Sequence, residues 1–309
     1  MATLSALALT VFCVWALLHM KTSRPDGRLI GNLHQYRKIM GYIMTTRNES
    51  VVYFDVYVDA EPMERYLAEA QKIFACDLTH ASVAAAFITL LNNPSMNRFS
   101  SGHRLYQRNG TFMSFSMKRK QLDKKAKLAT VKIRHQPGEP FRVLCDRINK
   151  EINVERSGTK TYQDKEFDLL TVLPRPLLRA GVKMLKLLDY YNVLPADFIA
   201  KDPLYTSMFI ANLGSLGMDA GYHHLYEWGN CSHFLMIGKI EERPVVVDGR
   251  VVAQRQMLVR CSYDERIDDG LNAGLGINTL RETLLDPFRF LGCLAEDGSD
   301  ARPLDADAP

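Results

Sequence analysis

Apolar side chains follow three rhythms along this chain, and each predicts a different kind of element. From Ala2 to Met20 the run is nearly unbroken and carries no acidic or basic residue, close to the ~20 residues that cross a bilayer as a helix. Lys21, Arg24 and Arg28 follow it directly. A membrane anchor over residues 1–22 is therefore expected, with a buried N-terminal helix as the alternative. The basic flank predicts a main body on the cytoplasmic side; without the anchor the expectation is a soluble cytoplasmic protein.

After a linker over residues 23–32, helical spacing and strand alternation take turns. Tyr36 to Arg47 has apolar residues at helical spacing, Val51 to Val58 alternates as a strand, and Glu61 to Phe74 reads as a helix behind Asp59. Thr79 to Leu91 is an apolar helix that Asn93-Pro94 stops. Gly110 to Met117 and Ala129 to Arg134 read as strands joined by a cationic stretch, Lys118 to Lys120 with Lys124, Lys125 and Lys127. That stretch is read as a solvated loop, with a seat for coenzyme A phosphates as the alternative. Pro140 to Ile152 reads as a helix, and a charged linker runs to Asp168.

Leu177 to Tyr191 is a helix with Arg179, Lys183 and Lys186 at three- and four-residue spacing. That basic stripe suits a helix lying on an anionic membrane surface; packing on the domain is the alternative. Met208 to Ala211, Phe234 to Ile240 and Gln256 to Ser262 then read as strands, Asp248-Gly249 signals a hairpin between β-branched runs, and Leu275 to Leu285 reads as a helix. One domain over residues 33–294 results, followed by an acidic, Pro- and Ala-rich tail over 295–309 that is expected to be disordered.

Composition changes this picture little. With 309 residues, of which 47% are hydrophobic, the chain has the material for a sizeable core. Lys and Arg number 39 against 35 for Asp and Glu, so global charge makes no case for nucleic acid. The six cysteines show neither a C-x-x-C pair nor Cys/His ligand spacing, which predicts reduced thiols and no metal.

The densest chemistry lies near the C-terminal end. Cys261-Ser-Tyr-Asp-Glu-Arg-Ile-Asp-Asp-Gly270 ends a strand in a sharp turn, and Met208-Phe-Ile-Ala-Asn-Leu-Gly214 leads a strand into a glycine turn. The first resembles the D-H-R-x-x-D-G signature, and the second the F-T-I-S-N-L-G segment, of the 2-oxoacid dehydrogenase acyltransferase (E2) catalytic core, whose fold is chloramphenicol acetyltransferase-like. Asp264, Arg266, Asp269 and Gly270 match, but Glu265 stands where the family has its catalytic histidine and Ala211 where it has the serine that bonds the oxyanion.

The resemblance implies an α/β two-layer sandwich with a mixed sheet, a homotrimer with sites between subunits, and acyl transfer from an acyl thioester such as acyl-CoA. In the family the histidine takes the proton of a thiol. A carboxylate starts near ~4.3 against ~8.5 for a thiol, so Glu265 is a poorly matched base unless burial raises it. His223 and His224, in Tyr222-His-His-Leu-Tyr-Glu-Trp228, are candidate replacements, with Glu265 orienting the imidazole. Asn212 and Gly214 join Ala211 as expected substrate-side residues. Asp264, Arg266 and Gly270 are expected to shape the turn, with Arg266 bridging Asp269. No lipoyl domain is recognisable and no covalent cofactor is expected, so the acyl donor would come from coenzyme A or another protein. The alternative is a non-catalytic thioester-binding or scaffolding trimer at the membrane.

Overall fold

The computed structural model describes residues 2–118, 128–157 and 172–306. The cationic stretch from Arg119 to Lys127 and most of the charged linker up to Asp168 lie outside them.

In chain order the elements are α1 (Ala2–Met20), β1 (Gly27–Leu29), α2 (Gln35–Ile43), β2 (Val51–Asp59), α3 (Glu61–Ala70), α4 (Leu78–Asn92), β3 (Arg98–Ser101), β4 (Arg104–Arg108), β5 (Phe112–Lys118) and β6 (Leu128–Arg134). There follow α5 (Phe141–Arg156), α6 (Arg175–Tyr190), α7 (Ala196–Lys201), β7 (Met208–Asn212), β8 (His233–Val247), β9 (Arg250–Asp264), α8 (Gly270–Leu285) and α9 (Pro287–Leu291). Six strands form a mixed sheet in the order β2-β9-β8-β7-β5-β6, in which β7 runs parallel to both its neighbours and the other pairs are antiparallel. A small antiparallel sheet, β1-β4-β3, stands beside it.

Alternation decides what each face of the large sheet buries. Val56 and Val58 of β2, Ile210 of β7, Leu235 and Ile237 of β8, and Val259 and Cys261 of β9 share the main core with Ala84, Phe87 and Leu90 of α4, Leu144 of α5 and Leu280 of α8. The intervening positions Phe209, Phe234, Met236 and Leu258 form a second apolar cluster on the opposite face, roofed by Ala220 and Leu225 of an irregular segment. Helix α4 is almost wholly buried, and Asp77 caps its start by accepting from Thr79 N at 2.8 Å and His80 N at 3.1 Å.

Three strand expectations merge into two. The hairpin signalled by Asp248-Gly249 is real, with both residues at positive φ (49° and 75°), but its strands extend to fifteen residues each and absorb the runs on either side. A register shift between Ile237 and Ile240 keeps them paired. Residues 295–306 depart from the expected disorder. Ala301 and Pro303 bridge to Gly292 and Pro140, Leu304 is 1% exposed, and the Asp300 carboxylate accepts from Leu294 N and Ala295 N. One buried leucine and one capping carboxylate seat a segment whose composition alone gives no reason for order.

Candidate active site

On the sheet face away from the helices, β7 presents Phe209 and Ala211, β8 presents Phe234 and Met236, and β9 presents Leu258, Arg260 and Ser262. The segment 219–226 lies over them. Arg260 fixes it from below by stacking under Tyr222 at 3.9 Å while pairing with Asp55 of β2 at 2.9 Å, and Ser262 Oγ donates to His223 O.

This arrangement separates the two candidate histidines. The His223 ring, half-buried, stacks on Phe234 with centroids 3.7 Å apart, and Phe234 stacks on Phe209 at 4.9 Å, two residues before Ala211. Its Nδ1 lies 2.7 Å from the His224 carbonyl oxygen, which is an acceptor only; Nδ1 therefore carries the proton and Nε2 keeps its lone pair. Burial pushes the His223 pKa below the ordinary imidazole value. His224 is exposed, with Nδ1 3.1 Å from Leu225 O.

The motif turn lies farther along. Asp264 ends β9 at 1% exposure, and Arg266 returns to it with Nε at 2.9 Å from Oδ1 and Nη2 at 2.8 Å from Oδ2. Ser50 Oγ lies 3.0 Å from Asp264 Oδ1, and Arg37 of α2 reaches across to donate to both Glu265 O and Asp268 O at 2.9 Å. Burial works against the Arg266 charge, but the hydrogen bonds and charge of Asp264 outweigh it and hold the guanidinium above its ordinary pKa.

Three expectations are corrected by this geometry, and Gly214 and Asn212 each gain a structural role beside the one expected of them. Arg266 bridges Asp264, whereas the exposed Asp269 caps α8 by accepting from Asn272 N at 3.0 Å. Gly270 has free space for a Cβ and no positive φ, so the turn does not demand it. Gly214 has a packing cause: a Cβ there would stand 2.5 Å from Gly238 O of β8. Glu265 does not orient an imidazole, because its carboxylate has no hydrogen-bond partner among the described residues and His223 is oriented by a backbone carbonyl. Asn212 holds the turn after β7, donating to Thr79 Oγ1 at 3.1 Å and accepting from Ser215 N at 3.0 Å.

Register gives the separations. Ala211 pairs with Met236, Met236 with Arg260, and Glu265 follows five residues later. At ~3.3 Å per residue and ~4.8 Å per strand, Ala211 and Glu265 are roughly 19 Å apart within one chain, too far to share a reacting atom. His223 stacks on Phe234, one strand over and two residues back from Ala211, which puts its ring roughly 8 Å from Ala211 along the sheet.

Sequence reasoning missed Arg37, Ser50 and His233. Arg37 opens an Arg-Lys-Ile-Met segment that loosely fits the family's R-K-x-I/M entry, but each of the three acts on a partner distant in the chain. His233 begins β8 fully buried, with Nδ1 3.3 Å from Ser207 O and its ring 5.3 Å from that of Tyr263; His233 Nε2 and Tyr263 Oη have no partner among the described residues. Burial pushes its pKa down to about 4. Because the folded value is depressed below the ~6.5 of the unfolded chain, this group's contribution is intact above that pH and falls by roughly 3 kcal/mol as pH drops through about 4. Urea midpoints measured across that window should fall steeply for the wild type, and His233→Phe should flatten the slope. An unchanged slope would remove His233 from the account. The thiol of Cys261, facing the helices, is pushed up to about 12 by burial and is no nucleophile.

A mixed sheet covered by helices on one face, with a strand-end Asp-x-Arg turn leading into a helix, defines a chloramphenicol acetyltransferase-like two-layer sandwich. Chloramphenicol acetyltransferase itself aligns over 84% of this chain and 99% of its own, at 11% identity and a TM-score of 0.53. Residues 202–291 match the family model of the 2-oxoacid dehydrogenases acyltransferase (catalytic domain). The dihydrolipoyllysine-residue succinyltransferase component of the 2-oxoglutarate dehydrogenase complex from Cupriavidus necator is 40% identical over 60 residues, 19% of this chain and 14% of that protein. The chain thus spans only a small part of that relative's length. A probable dihydrolipoamide acetyltransferase from Listeria monocytogenes shares the fold over 84% of this chain and 94% of its own, with 15% identity and a TM-score of 0.54.

Proposed function

We propose that this protein transfers an acyl group from an acyl thioester to a thiol, with His223 as the base in place of the motif residue. The observation that carries the reading is the His223 ring: Nδ1 is tied to a backbone carbonyl, Nε2 has no hydrogen-bond partner among the described residues, and burial favours the neutral imidazole beside the strand that bears Ala211. A neutral, oriented imidazole is what proton abstraction from a thiol needs. The thiol proton passes to Nε2, the thiolate sulfur bonds the thioester carbonyl carbon, and the original C–S bond breaks. The departing thiolate takes the proton back from the imidazolium.

Coenzyme A thioesters are the substrates that the family relationship suggests. The relationship also supports a trimer, and exposed Tyr53 and Tyr57 lie on the same sheet face as His223, where another copy would cover them. Purified full-length chain, shown trimeric or otherwise by light scattering, should release coenzyme A from an acyl-CoA series in the presence of a dithiol acceptor. The acid limb of its pH profile should lie below the ordinary imidazole value. Binding of acyl-CoA without thiol release, unaltered in His223→Gln, would instead establish the non-catalytic alternative.

A further inference from the structure

Helix α1 carries no buried residue over Thr3–Met20, a stretch of mean hydropathy 1.9, so the body does not cover it. Its last turn is nevertheless fastened to the body. Arg104 donates to His19 O and, at 3.1 Å, to Lys21 O; Asn192 Nδ2 donates to Lys21 O at 2.9 Å; and the His19 ring meets Tyr191 edge-on at 5.0 Å. Asn192 is also the left-handed residue (φ 60°) that ends α6, and Arg24, just past α1, pairs with Asp189 of α6 at 3.0 Å. The exit of α1 and the end of α6 therefore form one joint.

Helix α6 has three faces. Leu185 and Leu188 pack inward on Leu194, Ile199 and Tyr205. Leu177, Met184 and Leu187, which helical geometry puts on one side with Ala180, are 58%, 55% and 50% exposed. Arg175, Arg179, Lys183 and Lys186 form the adjoining row, at four-, four- and three-residue spacing. No residue of this helix is buried outright.

We propose that α1 enters a lipid bilayer and that α6 lies on the anionic surface of the same bilayer, with Leu177, Met184 and Leu187 among the acyl-chain boundary and the basic row at the head groups. An apolar arc bordered by a cationic row is the pattern of an in-plane helix. The joint puts that arc where α1 leaves the body, with Tyr190 and Tyr191 at the level where aromatic rings collect. A second protein copy offers no reason for the cations. An anionic lipid surface does.

The test uses the full-length chain reconstituted into phosphatidylcholine vesicles with or without about one third phosphatidylglycerol. An environment-sensitive dye is placed on Met184→Cys in a Cys13→Ser background, the remaining cysteines being buried. In anionic vesicles its emission should shift to the blue and be quenched by lipid-borne quenchers. The same dye on Val246→Cys, at the far tip of the β8–β9 hairpin, should stay water-like. Raised salt should weaken the docking, and joint replacement of Arg179, Lys183 and Lys186 by alanine should lower the docked-to-free ratio roughly a hundredfold, at about fivefold per charge. A water-like dye in both vesicle types overturns the proposal. So does a blue shift equal in neutral lipid, or one that follows protein concentration in detergent, which would mean that a second copy covers the face.

Discussion

Asp264→Ala should cost about 3–5 kcal/mol of folding stability. The carboxylate is the shared acceptor of Arg266 Nε, Nη2 and backbone N, with Ser50 Oγ beside it, and the side chains of the pair are 1% and 8% exposed. Removing it leaves a buried guanidinium whose remaining partner is Met44 O at 3.2 Å. Arg266→Met should cost a similar amount, by stranding the carboxylate. The double variant Asp264→Leu with Arg266→Met should lose clearly less than the two single losses added together, because neither charge is then left unpaired. Urea unfolding of the four proteins at neutral pH checks this. Strict additivity would mean that the pair is not coupled and that the motif turn is held by Arg37 alone.

That pair also shows where sequence reading stopped. The motif spacing placed the turn at the end of a strand, where the structure has it. It did not say which of Asp264, Asp268 and Asp269 points inward. Asp264 is the last residue of the β9 ladder and is drawn in by Arg266, Asp268 is buried 3.5 Å from Arg98, and Asp269 is left at the helix entrance. Contacts to Ser50, Arg37 and Arg98, all far away in the chain, separate the three together with the local partners Arg266 and Asn272. The small sheet was missed for the same reason: β1 is three residues long and exists by pairing with β4. Long, strictly alternating runs such as Val51 to Val58 were legible because their own pattern supplies the face.

The two histidines illustrate the same division at the site. From sequence alone His223 and His224 stand as equal candidates, and on a strand they would point to opposite faces. The segment is not a strand, so the two rings stack, 4.9 Å apart, and only His223 reaches Phe234. Burial by that ring lowers its pKa, and the backbone carbonyl of His224 selects its tautomer.

His223→Gln should therefore lower thiol-dependent acyl transfer by about 10²- to 10⁴-fold, the usual share of a general base, while acyl-CoA affinity changes little. Glu265→Gln should leave turnover within a few-fold, since a backbone carbonyl and not Glu265 orients the His223 imidazole. Ala211→Ser adds the hydroxyl that the family carries at this position, on the strand beside His223. A donor to the oxyanion is worth about 10²- to 10³-fold, so this substitution should raise the rate in the wild-type background and do far less without the imidazole. The dependence on both residues discriminates between the readings. If Ala211→Ser accelerates transfer equally in the His223→Gln background, the two do not act on one tetrahedral intermediate, and the assignment of His223 as base is wrong.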